Sequence, residues 1–185
     1  MIVSTPNASV VHHIEIKAYL DDYHAMSERL RALTNSPPLD RVQNDTFFRC
    51  RSGRLKLRSS GEFHDLIYYH RENDYGPTES CYQTAPTEHP AALRTSLVSA
   101  FGEAGQVKKF RRSFVLCESL VHLDKVAGLG NFIEIKTKLT APNMTQSGVK
   151  SVEKIMQILN IDLFQLVDGA YIDLINERSG CRYGN

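Results

Sequence analysis

In the stretch Val10-Val11-His12-His13-Ile14-Glu15-Ile16-Lys17-Ala18-Tyr19, ionic residues at 13, 15 and 17 alternate with isoleucines at 14 and 16. Successive side chains of a strand point to opposite faces, so His13, Glu15 and Lys17 share one face and the isoleucines the other. The pattern recurs in Leu55-Lys56-Leu57-Arg58, in Lys109 and Arg111, and in His122 and Asp124. It returns in Glu134, Lys136 and Lys138 opposite Ile133, Ile135 and Thr137.

An ordinary antiparallel sheet with one packed and one solvated face produces the same alternation. Two features favour a different arrangement. Three stretches carry apolar residues at helical spacing: Asp21 to about Ser36 (Met26, Leu30, Leu33), Thr87 to about Ala104 (Ala92, Leu93, Leu97, Phe101), and Gln146 to Asn160 (Val149, Val152, Ile155, Met156, Leu159). Such helices need an apolar sheet face to cover, which turns the ionic faces toward one another if the sheet closes. Acids also sit on the first and last strands, where closure brings them together, while bases are spread over several strands.

About eight strands are predicted, at Val10 to Tyr19, Asp45 to Cys50, Arg54 to Ser59, Asp65 to Arg71, Thr78 to Thr84, Val107 to Cys117, Leu120 to Val126 and Asn131 to Leu139. Short links such as Arg51-Ser52-Gly53 and Glu118-Ser119 favour antiparallel neighbours. A short helical piece near Ala170 to Ile175 follows Asp162-Leu163-Phe164. The expected fold is α+β, an eight-stranded closed antiparallel β-barrel with flanking helices. It forms a single domain over 1–185, with its core at about 10–176 and a flexible C-terminal tail.

A barrel lined with charge must hold a compensating ligand, because unpaired buried charge is very costly. Lysines and arginines neutralise phosphate oxygens, and carboxylates bind a hard divalent cation, so a polyanion is the expected guest. No glycine-rich phosphate loop is present, which leaves side chains to grip it. The formal net charge is only +1, so affinity for a polyanion must come from where the charges sit.

The chain has 185 residues, 42% hydrophobic and 23% charged, enough for one sizeable core. Cys50, Cys81, Cys117 and Cys181 show no metal-site spacing and read as free thiols in a reducing compartment. No apolar run reaches membrane-span length, and Met1-Ile2-Val3-Ser4-Thr5-Pro6 lacks the features of a signal peptide. A cytoplasmic protein is expected, with a nuclear address left open.

The segment Ile14-Glu15-Ile16-Lys17-Ala18 resembles the Glu-x-Glu-x-Lys signature of the CYTH superfamily, the class IV adenylyl cyclase and thiamine triphosphatase group of triphosphate tunnel metalloenzymes. The resemblance continues through Asp45-Thr46-Phe47-Phe48, Gly53-Arg54-Leu55-Lys56-Leu57-Arg58, Leu66-Ile67-Tyr68-Tyr69 and Val107-Lys108-Lys109. It runs on through Val121 to Val126 and Gly128 to Glu134, and ends at Ala170-Tyr171-Ile172-Asp173-Leu174.

This resemblance implies a tunnel in which Lys17, Lys56, Arg58, Lys109 and Arg111 contact phosphate. His13, Glu15, Asp124 and Glu134 would hold Mg2+ or Mn2+. It implies an in-line attack on phosphorus, by water in a hydrolase or a ribose hydroxyl in a cyclase, with Lys17 as the catalytic candidate for activating water. The implied partner is a triphosphate-containing small molecule, with neither nucleic acid nor membrane, and the protein would be a monomer or homodimer.

The sequence departs from the family pattern at several places. His13 replaces the first signature glutamate, and imidazole suits Mn2+ better than Mg2+. Lys136 stands where the last long strand usually has a second glutamate, removing a metal ligand. His70, followed by Arg71, takes the place of a usual lysine, and Phe110 interrupts a run that is often basic. His122 reads as structural and Tyr171 as core or gate.

Three functions remain open. One is a metal-dependent triphosphate hydrolase. The second is a class IV adenylyl cyclase, against which Ser9-Val10-Val11 replaces the His-Phe pair that often precedes the signature. The third is a non-catalytic binder of triphosphate or polyphosphate.

Overall fold

A computed structural model of the protein describes residues 10–71, 76–141 and 144–180. The segment Met1 to Pro6, Cys181 and the tail beyond 180 lie outside the described residues. The strands are β1 (Val10–Tyr19), β2 (Leu39–Phe48), β3 (Arg54–Ser60), β4 (Phe63–Arg71), β5 (Thr78–Pro86), β6 (Glu103–Leu116), β7 (Ser119–Val126) and β8 (Gly130–Lys138). Among the described residues the helices are α1 (Tyr23–Leu33), α2 (Pro90–Phe101), α3 (Thr145–Leu159) and α4 (Tyr171–Arg178), and a 3-10 turn lies at Leu163–Gln165.

The strands close into an antiparallel barrel in the order β1-β5-β4-β3-β2-β6-β7-β8, and β8 pairs back onto β1. Eight strands leave an interior just wide enough for side chains or one small ligand. The alternation seen in the sequence is resolved as expected: the ionic residues face inward and the isoleucines outward.

Outside, Ile14 and Ile16 of β1, Phe114 and Leu116 of β6, Val121 and Leu123 of β7, and Ile133 and Ile135 of β8 form one apolar layer. Leu30 of α1 and Val152, Ile155, Met156 and Leu159 of α3 complete it. The stripe on α3 has the helical spacing that lays one apolar face on a sheet. Gly148 lets the helix approach closely, since a Cβ there would lie 2.7 Å from both Ile14 Cγ1 and Leu139 Cδ2. On α1, Asp22 caps the start by accepting from the Ala25 amide at 2.9 Å.

A second apolar cluster lies inside the barrel at one end. Phe47, Ile67, Tyr69, Val107, Val126 and Phe132 meet Val167, Ala170, Tyr171 and Ile172, which plug that end. The plug is tied to β1 by a hydrogen bond from the Val167 amide to the Lys17 carbonyl at 2.8 Å and by a bridge between Ala18 and Leu166. α4 begins there, and Asp173 caps it by accepting from the Ala170 amide at 2.7 Å.

Several sequence-based expectations change. β2 begins at Leu39 and not at Asp45, because Leu39 to Asn44 pair with Ser113 to Lys108 of β6. Its local sequence hides this: Arg41 and Gln43 face the interior, while Val42 is 71% exposed outside. β6 starts at Glu103 and not at Val107, with a bulge opposite Phe47 and Phe48. α2 runs from Pro90 to Phe101, shorter than expected, and buries none of its residues. Its apolar residues Leu93, Leu97 and Val98 are only half-buried and join neither apolar cluster, unlike those of α1 and α3. α4 extends to Arg178, past the expected Ile175. Among the described residues no helix is long and apolar enough to cross a membrane.

Candidate functional site

The barrel interior holds a cavity of about 550 Å3, within the range of small-molecule sites. Its mouth carries Val11, Leu39, Arg41, Leu120 and Lys138, and its floor is the plug at Gly169, Ala170 and Tyr171. Between them lie Lys17, Arg54, Lys56, Arg58, Arg71, Lys109, Arg111 and Lys136, with Glu15, Asp45 and Glu134. Ten basic side chains thus face three carboxylates across a confined space, which focuses positive potential in the cavity.

Of the residues expected from sequence, Lys17, Lys56, Arg58, Lys109, Arg111, His13, Glu15 and Glu134 all line this cavity. Asp124 does not, since it is fully buried behind Arg111. His122 lines the cavity and pairs with the Ser113 hydroxyl at 2.8 Å.

Strand register explains how the charges are paired, because it sets opposite signs face to face across neighbouring strands: Asp45 with Arg58, Arg111 with Asp124, Lys17 with Glu134, and Glu15 with Lys136. Arg58 donates from Nε and Nη2 to the two Asp45 oxygens, both at 2.7 Å, and Lys56 Nζ donates to Asp45 at 2.9 Å. Arg111 forks onto Asp124 at 2.7 and 2.5 Å and reaches Glu134 at 2.6 Å. The Tyr171 hydroxyl donates to Asp124 at 2.8 Å, and Lys109 Nζ lies 3.4 Å from it.

Lys136 Nζ stands between Glu15 (3.0 Å) and Glu134 (3.1 Å) and donates to the Tyr82 hydroxyl at 2.8 Å. Tyr82 in turn donates to Glu15 at 3.0 Å. Arg71 is within ion-pair reach of Glu15 at 3.4 Å, although its Nε lacks the alignment of a hydrogen bond.

Burial opposes ionisation of all four carboxyls, and the adjoining cations outweigh it. Lys56 and Arg58 hold Asp45 well below the usual carboxylate range, and Arg111 and Lys109 do the same for Asp124. Glu134 is held down by Arg111 and Lys136, and Glu15 by Lys136. The lysines divide. Burial and then Arg58 lower Lys56 to about 7, and burial lowers Lys17 to about 8. Burial and then Arg111 take Lys109 to about 8. For Lys136 burial is overcome by Glu15 and Tyr82, and its pKa rises well above the ordinary lysine value. Lys17 Nζ donates to the Gly169 carbonyl at 2.8 Å and lies 4.3 Å from the centre of the Tyr171 ring.

The expected metal ligands differ in how well they suit an ion. His13 is suited: burial and then Lys136 lower it to about 4, so it is neutral, and its buried Nδ1 has no hydrogen-bond partner. The carboxylates are not suited. Asp124 is spanned by Arg111, and the gap between Glu15 and Glu134 holds the Lys136 ammonium. Among the described residues no group of three or more His, Cys, Asp or Glu side chains is placed to hold a metal ion. The donor set therefore does not fit a divalent cation.

Sequence reading missed Asp45, the anchor of Lys56 and Arg58, and Tyr82, the partner of Glu15 and Lys136. It also missed Arg41 at the mouth, because the first half of β2 is strand only through its pairing with β6. Face parity could have found Asp45 and settled a further point. Arg71 shares the inward face with Ile67 and Tyr69, while His70 is exposed, so Arg71 and not His70 brings charge to the cavity from β4. Phe110 likewise points outward onto the helix-covered layer and takes nothing from the basic lining.

Comparison with known proteins agrees with this architecture. The CYTH domain family model matches residues 12–171. The PH1012 protein from Pyrococcus horikoshii OT3 superposes with a TM-score of 0.78 at 20% identity, covering 88% of this chain and 98% of that one. A Vibrio parahaemolyticus protein described as a candidate adenylate cyclase gives 0.73 at 13% identity, covering 89% and 97%. A Hippeastrum protein, a candidate adenylyl cyclase whose dominant activity is that of a triphosphatase, gives 0.62 at 14% identity, covering 94% and 97%. At these identities the structural likeness speaks for the fold alone. A search of curated proteins finds no match.

Proposed function

This chain belongs to the CYTH domain family, and on that premise we propose that it binds an inorganic or organic triphosphate in its barrel and hydrolyses it. The supporting observation is the barrel cavity with ten basic side chains around it. Arg58 and Lys56, held in place by Asp45, and Lys109 of β6 would grip phosphate oxygens. Water would attack the terminal phosphorus in line with the bridging oxygen, which departs with the diphosphate. The surrounding cations stabilise charge on the transferring group. Lys17, brought near neutrality by burial, is the residue proposed to take the proton from water. The protein is taken to be cytosolic, its partner a small molecule, and its assembly a monomer or homodimer.

The metal dependence expected from sequence is not carried into this reading, because the carboxylates that would hold the ion are engaged by Arg111 and Lys136. The same pairing favours a second reading, binding without turnover. Release of orthophosphate from tripolyphosphate, ATP and thiamine triphosphate, followed beside calorimetric binding of each, separates the two. Release supports the hydrolase; binding with no release supports the binder; absence of binding across the panel defeats both.

A further inference from the structure

We propose that Lys136 is a resident cation that fills the place a divalent ion would take between Glu15 and Glu134, so that the cavity accepts a triphosphate without a metal. The ligand half of this inference rests on the triphosphate reading above; the half that concerns the metal does not.

The geometry is that of a filled site. An ammonium has three N–H donors, and Lys136 has three acceptors within 2.8 to 3.1 Å: Tyr82, Glu15 and Glu134. The acceptors come from three separate strands, β5, β1 and β8, and the register that sets Glu15 opposite Lys136 is part of the closed barrel. The Lys136 side chain is 14% exposed, and its Nζ lies 4.1 Å from the centre of the Tyr82 ring. A divalent ion entering between the two glutamates would have to evict this ammonium and leave a buried cation without its partners, which is strongly unfavourable.

Glu15 and Glu134 would repel each other if nothing stood between them, and a bridging cation is what permits both to ionise. Lys136 provides that bridge permanently, with Arg71 beside Glu15 and Arg111 on Glu134. All three of its donors are committed to protein acceptors, so its work is to neutralise the acids and leave Arg58, Lys56 and Lys109 for the incoming phosphates.

The experiment compares the wild-type protein with Lys136→Glu and Lys136→Gln in two assays. Binding of Mn2+ alone is read by electron paramagnetic resonance, and binding of tripolyphosphate by calorimetry in EDTA and in Mn2+. Both variants are expected to bind Mn2+ alone roughly tenfold or more tighter than wild type. Wild type is expected to bind tripolyphosphate in EDTA within about threefold of its affinity in Mn2+, whereas Lys136→Glu loses roughly tenfold in EDTA and recovers it with Mn2+. If Lys136→Glu does not fold, the charge-neutral Lys136→Gln decides the Mn2+ comparison. The proposal is overturned if wild type binds Mn2+ alone as tightly as the variants, or if wild type needs Mn2+ to bind tripolyphosphate. Should no protein bind tripolyphosphate in either buffer, the triphosphate reading fails while the Mn2+ comparison still rules on Lys136.

Discussion

Asp45 and Arg58 face each other across β2 and β3 and are joined by two 2.7 Å hydrogen bonds, with Lys56 closing on the same carboxylate at 2.9 Å. One buried acid thereby positions two cations. Removing its charge in Asp45→Asn leaves them repelling each other in a confined space. Breaking a buried pair in this way costs about 3–5 kcal/mol. Urea denaturation should show that loss, and added tripolyphosphate should restore part of it by replacing the missing counter-charge; an unchanged midpoint would count against the anchoring role.

The fork of Arg58 matters beyond its charge. In Arg58→Lys the paired hydrogen bonds to Asp45 are lost and a single ammonium must serve both acid and phosphate. Tripolyphosphate affinity, measured by calorimetry, should fall about 10- to 100-fold, the effect of one charged hydrogen bond. Arg112→Lys provides a control, because that guanidinium pairs with Asp40 outside the cavity and its exchange should leave affinity within about twofold.

Dependence on pH should run in opposite directions for binding and for stability. Lys56, at about 7, and Lys17 and Lys109, at about 8, lose their protons as pH rises through this range. Phosphate affinity should therefore decline between pH 6 and 9. All three values lie below that of an unfolded lysine, near 10.4. Between the two values the unfolded chain holds more protons, so the contribution of these lysines to stability rises with pH from about 7 to about 10. Calorimetry and thermal melting across one buffer series test both slopes, and a binding constant flat from pH 6 to 9 would refute the first.

Gly148 sets the distance between α3 and the barrel. In Gly148→Val the new side chain would collide with Ile14 and Leu139. Overpacking of this kind costs about 1–3 kcal/mol. A lower unfolding midpoint is expected, and one equal to wild type would show that the helix can shift aside.

Much of this was legible in the sequence for a physical reason. The alternation in β1, β3 and β8 is a local property, so it told which side chains turn inward as soon as closure was inferred, and it brought eight of the nine named positions to the cavity. What local sequence does not contain is register. That Lys136 falls opposite Glu15, and that Arg111 screens Asp124 from the cavity, follow from pairings among β1, β6, β7 and β8. The first half of β2 was hidden for a related reason. Leu39 to Asn44 are strand only because β6 pairs with them, and neither of their faces carries an apolar pattern. The apolar residues of α2 read as a core-facing stripe because local sequence cannot say how deeply a helix packs, and here they stay half-buried at best.

The plug at Val167 to Ile172 makes the two ends of the barrel unequal. Whatever enters must do so head first and leave by the way it came. A guest too long for the interior would keep its far portion in solvent, where the walls have no say in its identity. On the hydrolase reading, the fragment left nearer the plug would have to follow the outer one out through the mouth.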